Sequence, residues 1–152
     1  MHFSASTYLA ILSVALAPVS AWEATFHTDS ICSPKDNSQY RIISSGVDGA
    51  CNVFGKDMPG TSCAKYTNGG VNKGACDGEE FTIWSILVQP DTACIVYGDD
   101  HCETFSRLVY PKDNQPTCDT YVAGIGFGLE SIKSFACTAA SNLAGSGIPG
   151  TG

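Results

Sequence analysis

The sequence contains no Cys-x-x-Cys pair, no Asn-x-Ser/Thr sequon, and only eight lysines and arginines against fifteen aspartates and glutamates. Each shortage closes a class of function. The tightest cysteine spacing, Cys94 to Cys102, is too wide for a zinc knuckle, so no metal and no cofactor is expected. A formal charge of −7 repels phosphate backbones and anionic lipid, which disfavours nucleic-acid binding and polybasic membrane attachment. The longest apolar run, Tyr8 to Ala17, is too short to span a bilayer, and the C-terminal residues lack the hydrophobic segment of a lipid-anchor signal. Beyond that early run no stretch sustains the 3.6-residue period of an amphipathic helix, so a helical bundle is excluded.

What is present begins with a leader. The apolar run followed by Val19-Ser20-Ala21 has the small-residue cleavage pattern of a secretory signal peptide, so residues 1–21 are expected to be removed and the mature chain to start at Trp22. All eight cysteines, Cys32, Cys51, Cys63, Cys76, Cys94, Cys102, Cys118 and Cys137, lie beyond that point. An even set in a small secreted chain predicts four disulfides, each worth about 2–4 kcal/mol, which together rival the net stability of an ordinary domain. The expected product is a single extracellular domain over 22–137, with 138–152 as a flexible tail, and a monomer.

Periodicity then places the strands. Trp22, Ala24 and Phe26 alternate with Glu23, Thr25 and His27, the pattern of a half-buried strand. Further strands are predicted at Tyr40 to Ser44, Cys51 to Phe54, Phe81 to Val88, Cys94 to Gly98, Phe105 to Tyr110, Cys118 to Ala123 and Ser131 to Cys137, separated by Gly, Pro, Asn and Asp turn chemistry. Apolar residues on both faces make Phe81 to Val88 the core strand of the first half. Gly55 to Gly78, with six glycines and two cysteines, reads as a long irregular excursion.

The chain also repeats itself. Sliding Asp29 onto Asp99 carries Cys32 onto Cys102, Phe26 onto Val96 and His27 onto Tyr97; Ser85-Ile86 and Ser131-Ile132 then mark the last strand of each copy. Strand, acidic turn, cysteine and further strands, twice over, predict an all-β fold: two Greek-key halves, about 22–90 and 91–137, packed as a disulfide-stapled β-sandwich.

The aromatic strand and acidic turn at Tyr97-Gly98-Asp99-Asp100, with the later Ser131-Ile132-Lys133, resemble the Greek-key motif of the βγ-crystallin superfamily, and the cysteine-rich secreted form resembles the small secreted proteins and killer toxins of fungi. That resemblance implies an effector or antimicrobial toxin. Many members of the superfamily bind calcium through two consecutive Asp or Asn residues, two spacers and a Ser/Thr-Ser pair. Ending that pattern at Ser131 puts Gly126-Phe127 at the acidic pair, and ending it at Ser85 puts Glu80-Phe81 there. Phenylalanine offers no oxygen to a hard cation, so the calcium site is not expected to be carried over. A second stretch, Arg107 to Tyr110 through Asn114-Gln115, is similar to the strand bearing the catalytic arginine of fungal guanyl-specific ribonucleases. Those enzymes also need a general-acid histidine on the following strand, and none lies between Gln115 and Cys137.

No catalytic residue is therefore assigned. Asp99, Asp100 and Glu103 crowd one turn, and Asp77, Glu79 and Glu80 another, as acidic residues do in solvated turns. The expected activity is non-enzymatic binding to an extracellular protein or glycan, with Tyr66, Tyr110 and Tyr121 as candidate contact residues and Lys56 to Lys73 as the surface to test. Eight cysteines allow 105 pairings. If each half closes on itself, Cys94 pairs Cys137, Cys102 pairs Cys118, and Cys32, Cys51, Cys63 and Cys76 pair among themselves.

Overall fold

Strands form where side chains alternate between a buried face and an open one, and the computed structural model places them largely where that pattern runs. It describes residues 21–35, 37–78, 81–104, 106–120 and 131–143. Among the described residues, ten strands, β1 (Trp22–His27), β2 (Tyr40–Ser45), β3 (Asn52–Val53), β4 (Thr61–Thr67), β5 (Asn72–Ala75), β6 (Ser85–Val88), β7 (Thr92–Tyr97), β8 (Ser106–Val109), β9 (Thr117–Thr120) and β10 (Ser134–Ala139), are followed by one helical turn, α1 (Ala140–Leu143). They build two antiparallel sheets, one ordered β5-β4-β2-β1-β6-β9 and the other β3-β10-β7-β8. The all-β, disulfide-stapled sandwich is as expected.

Between the sheets lies an aromatic core. Phe26 of β1 packs on Phe135 of β10 with ring centroids 4.4 Å apart, and Phe54 closes on both at 5.0 Å. Trp22 meets Phe135 edge-on, and its indole Nε1 donates to the Val47 carbonyl at 2.7 Å, so the one polar atom of a buried indole is satisfied. Ile43, Ile86, Val88, Val96 and Val109 complete the layer. Phe81 and Ile83 are buried ahead of β6, but regular pairing begins only at Ser85, with Ile83 forming a single bridge to Ile132.

The repeat is visible in the hydrogen bonds. In the first copy the Asp29 carboxylate accepts from the amides of Ile31 and Ser33 at 3.0 and 3.4 Å; in the second, Asp99 accepts from His101 and Glu103 at 2.7 and 3.4 Å. The turns end on Cys32 and Cys102, both left-handed at φ 49° and 57°. A serine hydroxyl ties each turn down, Ser85 donating to the Asp29 carbonyl and Ser134 to that of Asp99, each at 2.7 Å. The Trp84 amide reaches the His27 carbonyl as the Lys133 amide reaches that of Tyr97, both at 2.9 Å. The register of the turns is the expected one, whereas the partner of Ser85 is Ser134, three residues beyond Ser131. The common signature is Ile-x-Ser, at Ile83-Trp84-Ser85 and Ile132-Lys133-Ser134.

The halves also trade a strand, which corrects the expected pairing of cysteines. β3 leaves the first half to pair with β10, and β9 leaves the second to pair with β6. Each traded strand is preceded or occupied by a cysteine that meets the turn cysteine across the molecule, giving Cys51–Cys102 and Cys32–Cys118. Cys94–Cys137 joins opposed residues of β7 and β10 as expected, and Cys63–Cys76 stays within the first half.

Two further differences follow from local composition. Gly55 to Gly78 is a hairpin, β4 and β5, added outside β2 and stapled by Cys63–Cys76, not an irregular loop. β10 runs on to Ala139, and α1 follows, anchored by the Asn142 side-chain amide on Asp48. Residues 1–20 and 144–152 lie outside the described residues.

Candidate functional site

Of the three tyrosines expected to make contacts, Tyr66 lies on β4, Tyr110 directly follows β8, and Tyr121 lies outside the described residues. Cross-strand register puts His27, Tyr40, Tyr66 and Lys73 in one row on the outer face of the larger sheet. Tyr40 and Tyr66 stack nearly parallel, 7° apart with centroids at 4.7 Å; His27 covers the other side of Tyr40 and the Lys73 ammonium caps Tyr66. The rings stand like books on a shelf and show their edges to solvent. A sugar stacks on an aromatic face, and here both faces of the pair are in use, so Tyr66 is a packing residue of the hairpin. Gly70 closes the arrangement: its φ is +96°, and a Cβ there would lie 2.9 Å from the Tyr40 hydroxyl. At the tip only Val71 is prominent, 77% exposed.

Of the acidic turns, Asp99, Asp100 and Asp77 have partners within the fold, and Glu79 and Glu80 lie outside the described residues. The Thr104 hydroxyl and the amides of His101, Thr104 and Glu103 donate to Asp99, which keeps its carboxyl far below the usual carboxylate range. Asp100 is held down by the Lys56 ammonium at 2.9 Å and by His101. Asp77 faces Lys65 and the buried Arg41, whose guanidinium lies over the Phe81 ring at 4.4 Å. Arg107 pairs with Asp119 at 2.8 Å. His27 is 2% exposed, with burial pressing its imidazole below the ordinary value and Asp29 partly opposing. The histidines and the arginine that ribonuclease chemistry would bring onto one phosphate are thus engaged in separate contacts. Among the described residues, no group of three His, Cys, Asp or Glu side chains converges as a metal site requires.

The outer face of the smaller sheet is different in kind. A two-layer antiparallel sandwich buries one face of each sheet and normally presents polar side chains on the other. Here Ala93 and Ile95 of β7, Leu108 of β8 and Ala136 of β10 make an apolar floor, with Tyr97 at one end and Asp48, Asn142 and Leu143 at the other. They enclose a groove of about 390 Å³. The groove was not among the expected sites, yet its signal is in the sequence: Thr92 to Tyr97 runs Ala-Cys-Ile-Val where a half-buried strand would alternate with polar residues.

In a scan against protein families, the model of the C-terminal domain of the secreted LysM effector LysM14 matches residues 22–137. No curated protein and no solved structure matches the chain. With its four bridges in a two-sheet sandwich and that match from residue 22 to residue 137, the chain belongs to the family of the LysM14 effector C-terminal domain and is a secreted, cysteine-rich protein of effector type.

Proposed function

We propose that this protein is a non-enzymatic effector that acts outside the producing cell by binding another protein through the outer face of its smaller sheet. The observation that carries the proposal is the apolar floor of Ile95, Leu108 and Ala136 on a face that a sandwich ordinarily leaves polar. Asp99 is committed to holding its turn and Asp100 to Lys56 and His101, which supports binding over catalysis. A glycan is the weaker partner, because the stacked tyrosines offer edges where a pyranose needs a face. The reciprocal exchange of β3 and β9 supports, within the same reading, a scaffold related to the duplicated Greek keys of the βγ-crystallins.

The test is complementation of a null strain with Ile95→Lys or Leu108→Lys, which put a charge on the floor without entering the core. Secretion and melting temperature should stay near those of the parent while effector activity is lost; Tyr66→Ala should keep that activity. Full activity in both lysine variants would refute this use of the face. RNA cleavage by the purified protein, abolished by Arg107→Ala, would replace binding with catalysis.

A further inference from the structure

Resting on that reading, the groove's chemistry narrows the partner. Its floor is aliphatic, so the matching group is an alkyl or small aromatic side chain, and its size falls in the range of real ligand pockets, roughly 300–1,000 Å³. Among the described residues, Asp48 is the one acidic side chain lining it, and no lysine or arginine does. Asp48 accepts from the Ala139 amide at 3.1 Å through Oδ1 and from the Asn142 side chain through Oδ2. A carboxylate has about four lone-pair sites, so two remain for an incoming donor. At the other end lies Tyr97, whose hydroxyl pKa is raised chiefly by burial and, to a lesser degree, by the nearby Asp99 carboxylate. The whole molecule carries −7, which attracts cations from a distance and works against a second copy of the chain as occupant.

We infer that the occupant is a cationic amphipathic peptide segment of a partner protein, laying an aliphatic side chain on Ile95 and Leu108 and directing a lysine or arginine to Asp48. The long-range field steers it, and the apolar floor holds it. A zwitterionic or anionic lipid surface offers alkyl chains without that net positive charge and is the poorer match.

The experiment is titration of isotope-labelled mature protein, followed by amide shifts, with a synthetic peptide alternating arginine and leucine. Three companions replace arginine by glutamate, arginine by serine, or leucine by serine. The arginine–leucine peptide should shift amides of Ile95, Leu108 and Ala136, bind at least tenfold tighter than any companion, and weaken as salt is raised. Leu108→Lys should abolish the shifts and Asp48→Asn should weaken binding severalfold; since Asp48 also anchors α1, the salt dependence and the glutamate peptide test the charge independently. Equal binding of the serine–leucine peptide in the groove would overturn the cationic partner while leaving the groove as the binding face. Shifts confined to other surfaces, or co-flotation with phosphatidylcholine vesicles and no peptide binding, would overturn the peptide inference; if Leu108→Lys also keeps effector activity, the face itself fails.

Discussion

At the scale of single residues, the polar groups buried beside each turn are the sensitive points. Ser85 and Ser134 are both fully buried, and each donates to the carbonyl of its turn aspartate. Replacing either by alanine leaves that carbonyl short of a partner, a cost of about 1–3 kcal/mol. Chemical denaturation of Ser85→Ala and Ser134→Ala should give similar losses, because the two sites are copies of one arrangement. His27 adds a pH dependence of definite sign. Its folded pKa is lowered, so the unfolded chain binds the proton more readily. The stability tied to its neutral ring is fully present above the unfolded value of about 6.5 and is lost as pH falls towards the folded one. Melting temperature should therefore drop between pH 7.5 and 5, and His27→Phe, which keeps a ring on Tyr40, should flatten that part of the profile.

At the scale of elements, the β4–β5 hairpin is the addition that distinguishes the first half from the second. It is an edge element with four exposed residues in β5; β4 docks it on β2 by backbone pairing and by Tyr66 against Tyr40, and the Cys63–Cys76 bridge closes the hairpin on itself. That bridge spans a sequence separation of 13, for which the chain-entropy model gives roughly 3 kcal/mol. A Cys63→Ser, Cys76→Ser double variant should lose about that much while amide protection falls in Thr61 to Ala75 and stays high in β1, β6, β7 and β10, as hydrogen exchange would report. The hairpin was not legible in the sequence. Lys65, Asn72, Lys73 and Gly74 show no apolar alternation, since an edge strand with one poorly covered face has little core to match, and the glycines read as loop. By contrast β1, β2 and β7 were legible, because each has one face locked into the aromatic layer. The groove residues escaped notice for the opposite reason: apolar residues on both faces of β7 signal a central strand and an exposed binding face equally well.

At the scale of the whole molecule, the exchange of β3 and β9 makes the halves interdependent. Periodicity tells that Asn52 and Cys118 lie in strands but carries no information about which sheet receives them, so the two cross-half bridges were hidden as well. With sequence separations of 86 and 51, Cys32–Cys118 and Cys51–Cys102 constrain the unfolded chain more than Cys63–Cys76 does. Their paired serine variants should each cost about 4 kcal/mol, ahead of the hairpin bridge, in equilibrium unfolding. For the same reason fragments 22–90 and 91–143 expressed separately should show no cooperative melting, and should regain it when refolded together under oxidising conditions; independent melting of either fragment would count against the exchange.

The pair of tyrosines on the outer sheet has an optical consequence. Two like chromophores 4.7 Å apart and 7° from parallel couple their transitions, and the coupling vanishes when the rings separate. Tyr40 belongs to the main sheet and Tyr66 to the added hairpin, so the near-ultraviolet dichroism of that pair, taken as the difference from a Tyr66→Leu variant, registers whether the hairpin is seated without a label.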